Sequence, residues 1–561
     1  MRGTRWPSLV LLLALLAAAG IIANRWFTAG PRPDPTRGFI PSRIPGELGP
    51  IMGEVMDGDT PVAGARVRFK GDLQSVLTDA QGRFRLPPPP TPSSRVTAWK
   101  EGYLIAGARA DSVPLRINLR RLPAEDCERY AWVDPTPDPA ARQNCGNCHG
   151  EIYREWAQSG HARAATGRHF RNLYDGTDWD GRPGAGWSLL DQHPDGAGVC
   201  TACHAPTVPF DDPAYYDLRQ VRGVAALGVH CDYCHKVADA GGGTIGLTHG
   251  RFGMKLLRPP LTPTPLPSER ERGKTASLLS PASGERGRGE GAQLFFGPLD
   301  DVDRGEDAYS PLYRDSRYCA SCHEGTIFGV HVYGTYSEWL ESPARRAGQH
   351  CQHCHMAPTG RLTNLAPGKG GIERDPGTLG NHLFFDVGLR EMLRDCLQVA
   401  VELTTVAGGV RADVEVRAER VGHRVPTGFI DRHLLLVVQG VGPDGRLLPA
   451  RDGPTLPEAA GRELSGQPGR LYAKLLKDFE GRSPAPFWKA DPSFVDTRLH
   501  PAQPDRSAFT FPAGLDHVRV RLIYRRFWQE VVQVKRWPDN EIILLDRIVS
   551  VRQKRWSAAL R

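Results

Sequence analysis

Cysteine and histidine recur in one motif, Cys-x-x-Cys-His, which the chain contains five times. The five copies span residues 145–149, 200–204, 231–235, 319–323 and 351–355. Two thiols at this spacing can bond to the two vinyl groups of one haem, while the adjacent histidine binds the iron. The sequence therefore predicts five covalently attached c-type haems.

Each motif supplies both the attachment site and the proximal iron ligand. The predicted attachment residues are Cys145, Cys148, Cys200, Cys203, Cys231, Cys234, Cys319, Cys322, Cys351 and Cys354. The predicted proximal ligands are His149, His204, His235, His323 and His355. Zinc also binds Cys-x-x-Cys pairs, but a zinc ribbon needs no histidine after every pair. Disulfide pairing would likewise leave that recurrent histidine without a role.

The sixth ligand of each iron must come from elsewhere in the chain. There are 18 histidines but only 6 methionines, of which Met254, Met356 and Met392 lie among the motifs. The composition thus predicts mostly bis-histidine ligation and low reduction potentials. The candidate distal ligands are His161, His331, His249, His382, His169 and His230, and His423 is also considered. Surface or structural roles are expected for His193, His433, His500 and His517.

His161 lies about three helical turns beyond His149, too far along one helix to bind the same haem. We therefore expect it to serve a neighbouring haem. Two further cysteines, Cys127 and Cys396, bracket the motifs. In an oxidising compartment they could form a disulfide, and two free thiols are the alternative.

The spacing of the motifs alternates between long and short steps. Cys200 to Cys231 and Cys319 to Cys351 are the short steps, and the remaining steps are long and similar once residues 259–292 are set aside. Short steps are expected to bring consecutive haems close together. Closely packed haems can pass electrons by tunnelling without large movements of the protein.

The N-terminus has the features of an export segment. Arg2 and Arg5 precede an apolar run from Leu9 to Ala23, and about 15 apolar residues are short for a membrane span, which takes about 20. Residues 1–30 are therefore predicted to be a cleaved signal peptide or a retained membrane anchor. With the arginines held in the cytoplasm, the rest of the chain is expected in the periplasm or on the outer face of the cytoplasmic membrane.

The remaining sequence predicts a multidomain fold. A linker (31–49) leads to a small β-sandwich (50–122), because short alternating strands at 53–56, 65–69, 82–86 and 95–99 are separated by Gly, Pro and Asp. A mainly α, haem-packed domain (127–396) follows, with a Pro- and Gly-rich insertion at 259–292 that is expected to be disordered. Alternation returns at 399–403, 412–416, 434–438, 518–524 and 542–545 and predicts a C-terminal β-sandwich (397–561).

The charge balance gives little information about partners. The 71 basic and 63 acidic residues are interspersed and sum to +8, which five haems with ionised propionates would reduce to roughly +3. A solvated, mixed surface is the expectation, and no nucleic-acid partner is expected.

The N-terminal strands resemble a known accessory module. The stretches from Thr78 to Phe84 and from Lys100 to Tyr103 are similar to the carboxypeptidase regulatory-like β-sandwich. That resemblance covers about 70 residues and implies no chemistry of its own.

The motif region resembles the cytochrome c-554 family and its relatives around hydroxylamine oxidoreductase. The similarity runs from Cys145 through the stretches at 156–162, 228–236, 296–301 and 330–339 to Pro358. It implies a mainly helical haem domain that relays electrons in the periplasm, with His161 as a distal ligand. The chain differs from the tetrahaem pattern in its fifth motif, its insertion and its flanking β-domains, and from hydroxylamine oxidoreductase in haem number. The stretch from Gly422 to Gly428 resembles a phrase common in large multihaem cytochromes, where His423 is either a ligand or a turn residue.

Two functions remain open at this point. The first is electron transfer between redox proteins, with every haem six-coordinate. The second is a redox enzyme acting on a nitrogen or sulfur oxyanion or on hydroxylamine, which needs one haem with an open sixth position. Such a site could use Tyr233 and Lys236 beside the third motif, although surface positions are expected for both. A structural protein with incidental haems is the third alternative, which five motifs make a poor explanation.

Overall fold

The computed structural model describes residues 49–91, 93–111, 114–195, 198–209, 216–241, 243, 245–259, 293–304, 306–384 and 388–560. The predicted signal or anchor, nearly all of the predicted linker and the insertion from residue 260 onward lie outside the described residues. Within the described ranges, no helix combines the length and the apolar character needed to cross a membrane.

The chain forms two compact units. Of the described residues, those between 49 and 121 and those between 301 and 304 form the first unit, and those between 122 and 300 and between 306 and 560 form the second. The haem motifs and the C-terminal strands therefore share one unit, although the sequence predicts a boundary at residue 397.

The first unit consists of two four-stranded sheets. Its strands are β1 (Ile51–Asp57), β2 (Thr60–Pro61), β3 (Arg66–Phe69), β4 (Val76–Leu77), β5 (Arg83–Leu86), β6 (Arg95–Trp99), β7 (Ala106–Arg109) and β8 (Leu115–Asn118). One sheet has the order β2-β1-β5, with β8 parallel to β1, and the other has the order β4-β3-β6-β7. The four strands predicted in this region are confirmed.

The two sheets of the first unit share one apolar core. Along β5, Phe84 and Leu86 are buried while Arg83 and Arg85 are exposed, as the two-residue period of a strand requires. Val55 from β1 and Val67 from β3 are fully buried in the same cluster. The alternation read in the sequence thus corresponds to one inward face on each sheet.

The helices of the second unit are short. They are α1 (Gly150–Ala157), α2 (Arg168–Asp175), α3 (Leu189–Gln192), α4 (Gly198–His204), α5 (Cys231–Cys234), α6 (Arg317–His323), α7 (Thr335–Leu340), α8 (Pro343–Arg346), α9 (Cys351–His355), α10 (Leu389–Cys396) and α11 (Gln529–Lys535). Single 3-10 turns lie at 145–147, 218–220, 223–227, 250–253, 311–314, 376–378 and 458–460. Three short ladders join β9 (Val237–Ala240) to β10 (Met254–Leu256), β11 (Phe295–Gly297) to β12 (Asp307–Tyr309), and β13 (Glu324–Ile327) to β14 (Val330–Gly334).

All five motifs start on a helical turn, which is a 3-10 turn at Cys145 and an α-helix at the other four. Residues three apart lie on the same side of a helical turn, so this conformation brings the two thiols of each motif together. The domain predicted to be mainly α over residues 127–396 is helical around residues 144–236, but α1 ends at Ala157. A turn rather than a continuous helix leads to His161. The expected spacing of three helical turns between His149 and His161 is therefore not that of one helix.

The C-terminal part of the second unit is built of long antiparallel strands. They are β15 (Leu397–Val406), β16 (Gly409–Ala418), β17 (His433–Val441), β18 (Leu447–Leu448), β19 (Gly469–Tyr472), β20 (Lys474–Asp478), β21 (Ala490–Asp496), β22 (Pro504–Pro512), β23 (His517–Arg525), β24 (Glu541–Ser550) and β25 (Arg555–Ala559). One sheet has the order β22-β16-β15-β25, and a second has the order β18-β17-β23-β24, with β19 also on β17. The five strands predicted here are confirmed.

Strand β17 is buried on both faces. Leu434, Leu436 and Val438 belong to the core shared with the first of these sheets, whereas Leu435 and Val437 pack into a second cluster with Leu173 and other residues of the motif region. The sequence of a strand that is covered on both faces is a continuous apolar run. This packing explains why the C-terminal sheets and the motif region form one unit.

Candidate haem-binding site

The thiols of different motifs lie next to one another. Three thiol pairs join different motifs, and in each pair the neighbouring thiol raises a pKa: that of Cys145 raises the pKa of Cys231, that of Cys203 raises the pKa of Cys322, and that of Cys351 raises the pKa of Cys319. The third motif thus meets the first, and the fourth meets both the second and the fifth.

A tyrosine connects these two groups of motifs. The hydroxyl of Tyr318, which immediately precedes the fourth motif, donates to the carbonyl of Cys234 in the third motif at 2.9 Å. Tyr313 donates to the same carbonyl at 2.6 Å. The five motifs therefore form one continuous cluster, and the fourth motif lies at its centre. Of the two predicted short steps, the contact between the fourth and fifth motifs is present as a thiol pair.

Three of the motif histidines are held through Nδ1 by backbone carbonyls. Nδ1 lies 2.8 Å from the Leu365 oxygen in His149, 2.9 Å from the Ala164 oxygen in His204 and 2.6 Å from the Phe296 oxygen in His235. A hydrogen bond of this kind places the proton on Nδ1 and makes Nε2 the metal-binding nitrogen. Carbonyl groups that hold the rings in this way fit axial ligation of haem iron.

His161 faces the fourth motif. Its ring centroid lies 6.3 Å from that of His323, and two imidazoles that each place a nitrogen about 2 Å from one metal ion have centroids about 6 Å apart. Burial lowers the pKa of both His161 and His323 to about 4, so both rings are neutral at pH 7, as metal ligands must be. Phe384 packs edge-on against His161 at 4.4 Å.

His423 faces the fifth motif in the same way. Its ring centroid is 6.2 Å from that of His355, with the ring planes 30° apart. The Nδ1 of His423 lies 3.0 Å from the Arg424 carbonyl oxygen, and burial lowers its pKa and brings that of His355 to about 3. The sequence analysis did not place His423 among the main distal candidates, and the Gly422–Gly428 phrase was the signal that could have done so.

His382 is a third buried histidine of the cluster. Burial, together with the nearby His235 and His149, lowers the pKa of His382 to about 3. Its Nδ1 is buried without a hydrogen-bond partner among the described residues. An orphaned imidazole nitrogen beside two motif histidines fits a ligand whose metal completes it.

Three other predicted distal ligands make hydrogen bonds through Nε2. In His331 this nitrogen lies 2.7 Å from Oε1 of Glu324, and in His249 it lies 2.9 Å from the Thr326 oxygen. In His230 it lies 3.3 Å from the Thr207 hydroxyl. The structure thus places all three near the motifs but ties each ring to a protein oxygen.

His169 lies in an aromatic enclosure. Its ring stacks on Phe527 with centroids 5.1 Å apart and contacts Trp537 at 4.8 Å and Trp179 at 5.3 Å. Its neighbour Phe170 stacks on His204 of the second motif at 3.8 Å. Two of the three aromatic side chains around His169 therefore come from the C-terminal part.

The expectation of surface positions for Tyr233 and Lys236 is wrong. Both side chains are buried, and Lys236 is fully so. Its ammonium lies 2.5 Å from Oδ1 of Asp232, which is also fully buried, and 3.8 Å from the centre of the Phe295 ring. The Tyr233 hydroxyl donates to the sulfur of Met254 at 3.0 Å. Asp232 lies in α5 and Lys236 lies two residues beyond its end, where the chain turns the lysine back onto the carboxylate.

The disulfide hypothesis for Cys127 and Cys396 is not supported. Both residues are free thiols in this structure, and Sγ of Cys396 donates to the carbonyl of Leu393 at 3.4 Å. Among the described ranges, no three His, Cys, Asp or Glu side chains gather into a separate metal site.

Part of this chain is similar to known proteins. Residues 144–236, which contain the first three motifs, match the family described as cytochrome c554 and c-prime. A penta-heme cytochrome c552 from Thermochromatium tepidum is similar to the chain at 22% identity, over 72% of this chain and 97% of that one, with a TM-score of 0.48. The chain has no match among curated proteins. The part of this chain that holds the first three Cys-x-x-Cys-His motifs is therefore similar to a family of c-type cytochromes.

Proposed function

We propose that the chain is a pentahaem electron-transfer protein that relays electrons between redox partner proteins. The observation that carries this proposal is the continuity of the motif cluster. The thiol pairs and the Tyr318 bond leave no motif isolated from the rest. Groups attached covalently at these positions are neighbours, and the chain's role is to hold them in that order.

The haem groups supply one-electron oxidation and reduction when bound. The residues of this chain would fix each group by two thioether bonds and one proximal histidine. The carbonyls of Leu365, Ala164 and Phe296 hold three of those histidines in one tautomer. A ligand that keeps its orientation and protonation needs little rearrangement when the charge at its metal changes.

Two histidine pairs support six-coordinate iron. The His161–His323 and His355–His423 centroid distances of 6.3 and 6.2 Å both suit two axial ligands on one metal. Bis-histidine ligation gives low reduction potentials and leaves no position for a substrate. His382 is the proposed distal ligand for a haem near the first and third motifs, because both His149 and His235 lie close to it.

The cellular location and the surrounding modules belong to the same proposal. Arg2, Arg5 and the apolar run after them support export to the periplasm or to the outer face of the cytoplasmic membrane. The two sheets of the first unit, which share one core, support the proposed carboxypeptidase regulatory-like sandwich. The partners are expected to be redox proteins rather than nucleic acid.

The spectrum of the purified holoprotein tests this function. Mass spectrometry of tryptic peptides should find haem on all five motifs, and electron paramagnetic resonance of the oxidised protein should show only low-spin ferric haem. A high-spin fraction that binds nitrite, hydroxylamine or nitric oxide would contradict a purely electron-transferring role.

A second candidate function is a redox enzyme with one five-coordinate haem. The observation that favours it is the hydrogen bonding of two predicted distal ligands. The Nε2 atom of His249 is hydrogen-bonded to the Thr326 carbonyl, and that of His331 to the Glu324 carboxylate. If these bonds persist in the holoprotein, those two residues do not ligate iron through that nitrogen. The same spectrum decides between the two functions, because only the enzyme requires a high-spin haem.

A further inference from the structure

An acidic loop tip belongs to the first unit although its sequence lies between two motifs. Residues 298–306 join β11 to β12, and residues 301–305 group with the N-terminal sheets. Strands β11 and β12 pair in parallel, with Phe296 opposite Ala308. The loop thus begins and ends at the short ladder of β11 and β12, whereas its tip groups with the N-terminal sheets.

Three cations of the N-terminal sheets bind the two carboxylates of this tip. We call Arg68, Lys70 and Arg95 the basic triad. Lys70 Nζ lies 2.8 Å from Oδ1 of Asp303, and Arg95 donates to Oδ2 of Asp303 from Nε at 2.8 Å and also from Nη2. Arg68 Nη2 lies 3.4 Å from Oδ1 of Asp301.

The carboxylates are almost completely removed from solvent. The side chains of Asp301 and Asp303 are 0% and 2% exposed, and the backbone N–H of Gly71 donates to Oδ2 of Asp301 at 2.7 Å. Buried charges are stable only when they are paired and hydrogen-bonded. These contacts are therefore those of a specific site and not of a screened surface ion pair.

The sheet is also shaped to admit the tip. Gly107 lies in β7, and a Cβ at this position would collide with Oδ2 of Asp303. The absence of a side chain at Gly107 leaves room for the carboxylate beside Arg95, which also donates to the Gly107 carbonyl at 3.2 Å.

The start of the same loop holds a haem ligand. Phe296 in β11 exchanges two hydrogen bonds with His235 of the third motif. Its N–H donates to the His235 carbonyl at 2.9 Å, and its carbonyl accepts from Nδ1 of His235 at 2.6 Å. Only four residues of chain separate Phe296 from Asp301, so the position of the tip constrains that of Phe296.

We propose that the basic triad captures the acidic loop tip and thereby positions His235 through Phe296. The N-terminal sheets then act as an intramolecular clamp on one axial ligand. His235 remains the ligand, and the triad is a positioning element. The inference rests on haem attachment at the third motif, as does the proposed function.

The experiment uses the full holoprotein and four variants, one of which, Arg95→Lys, keeps the positive charge. Arg95→Gln removes a cation of the triad, and Asp303→Asn removes the charge from the loop while leaving the sheet unchanged. Arg109→Gln is the matched control, because Arg109 pairs with Asp111 in the same unit but both side chains are about half exposed. Hydrogen exchange followed by mass spectrometry reports on residues 293–304, and electron paramagnetic resonance with stepwise reduction reports on each haem.

In Arg95→Gln and Asp303→Asn, the amides of residues 293–304 should exchange at least about tenfold faster, because the loss of a buried partner releases the segment. One haem of the five should change its low-spin g values and its reduction potential. Arg109→Gln should match the wild type in both measurements, and Arg95→Lys should restore much of the wild-type behaviour.

Faster exchange with all five haem signals unchanged would overturn the positioning role, and unchanged exchange would overturn capture of the loop. The mass of the peptide containing residues 231–235 shows whether haem is attached there. If the wild-type protein carries no haem there, the proposed function itself is contradicted. The exchange measurement would still test whether the basic triad captures the acidic loop tip.

Discussion

The imidazole of His423 lies with its centroid 6.2 Å from that of His355, although one residue follows β16 and the other ends the fifth motif. The loop carrying His423 is held from the motif region. Glu338 in α7 accepts from the Arg424 N–H at 3.2 Å and from the Thr427 hydroxyl at 2.9 Å. The C-terminal part therefore supplies a side chain to the haem cluster as well as packing against it.

Replacement of His423 tests this pairing. In His423→Ala one haem of the holoprotein should lose its sixth ligand and become high-spin, because water is a weaker-field ligand than imidazole. Absorption and electron paramagnetic resonance of the ferric protein measure the change. His517→Ala, whose ring pairs with Asp516 at the surface, should remain wholly low-spin. A low-spin spectrum in His423→Ala would show that the ring does not ligate iron.

The central position of the fourth motif predicts a loss of electronic connection. The double variant Cys319→Ala, Cys322→Ala should lose one haem by mass and separate the second and fifth motifs from the first and third. Stopped-flow reduction should then become biphasic, with a slow phase that the wild type lacks. Cys351→Ala, Cys354→Ala is the control, since the fifth motif lies at an end of the cluster and its loss should remove one haem without a slow phase.

A buried ion pair joins Glu338 of α7 to Arg498, which follows β21 and donates to the Pro426 carbonyl of the His423 loop at 3.3 Å. Arg498 and Glu338 lie 2.7 Å apart and are 7% and 8% exposed. Arg498→Met leaves Glu338 buried without this partner and should lower the free energy of unfolding by about 3–5 kcal/mol. Calorimetry of the holoprotein measures the loss.

The exposed pair of Arg519 and Asp546 in the same unit is the comparison. Arg519→Met should cost no more than about 1 kcal/mol, as surface ion pairs do. Glu338→Gln combined with Arg498→Met should destabilise less than the sum of the two single changes. Additive effects would show that the two charges do not interact.

Acid sensitivity is expected from His433. Its ring stacks on Trp528 at 4.2 Å, and its Nδ1 lies 2.8 Å from the Asp431 carbonyl oxygen. Burial lowers its pKa to about 3 from an ordinary value of 6.5. Between pH 6.5 and about 3 the unfolded chain binds a proton that the folded chain does not, so stability falls as the pH is lowered through this window.

His433→Phe keeps an aromatic ring against Trp528 but cannot take up that proton. The acid-induced loss of stability should become less steep, by up to about 1.4 kcal/mol per pH unit. Melting temperatures between pH 7 and pH 4 measure the slope. An equally steep loss in this variant would assign the acid sensitivity to other groups, and His517→Phe, at a partly exposed position, is the control.

Local patterns in the sequence were sufficient to predict most of the strands. The alternation at Val399–Leu403 and Ala412–Val416 falls within β15 and β16, which pair along ten residues. The sequence did not predict that the C-terminal sheets and the motif region form one unit. An alternating apolar pattern indicates only one buried face of a strand. The unbroken apolar run from Leu434 to Val438 was the signal of burial on both faces. Strand β25 was also missed, since its buried and exposed residues give little contrast.

The residues of the candidate site also differ in whether a local sequence pattern could predict them. Attachment cysteines and proximal histidines follow from a five-residue motif, whereas a distal ligand depends on which loop the fold brings to each motif. His161 was predicted from a resemblance and is found opposite His323. His331 was predicted too, but its bond to Glu324 depends on the pairing of β13 with β14, which no local pattern specifies.

The order in which the motifs meet differs from their order along the chain, and this affects how the protein is assembled. Synthesis delivers the first motif well before the third, and the second before the fourth, so each waits for a thiol neighbour that has not yet emerged. The oxygen that holds His149 belongs to Leu365, which follows all five motifs. The first site in the sequence is therefore completed only after the last one has been made.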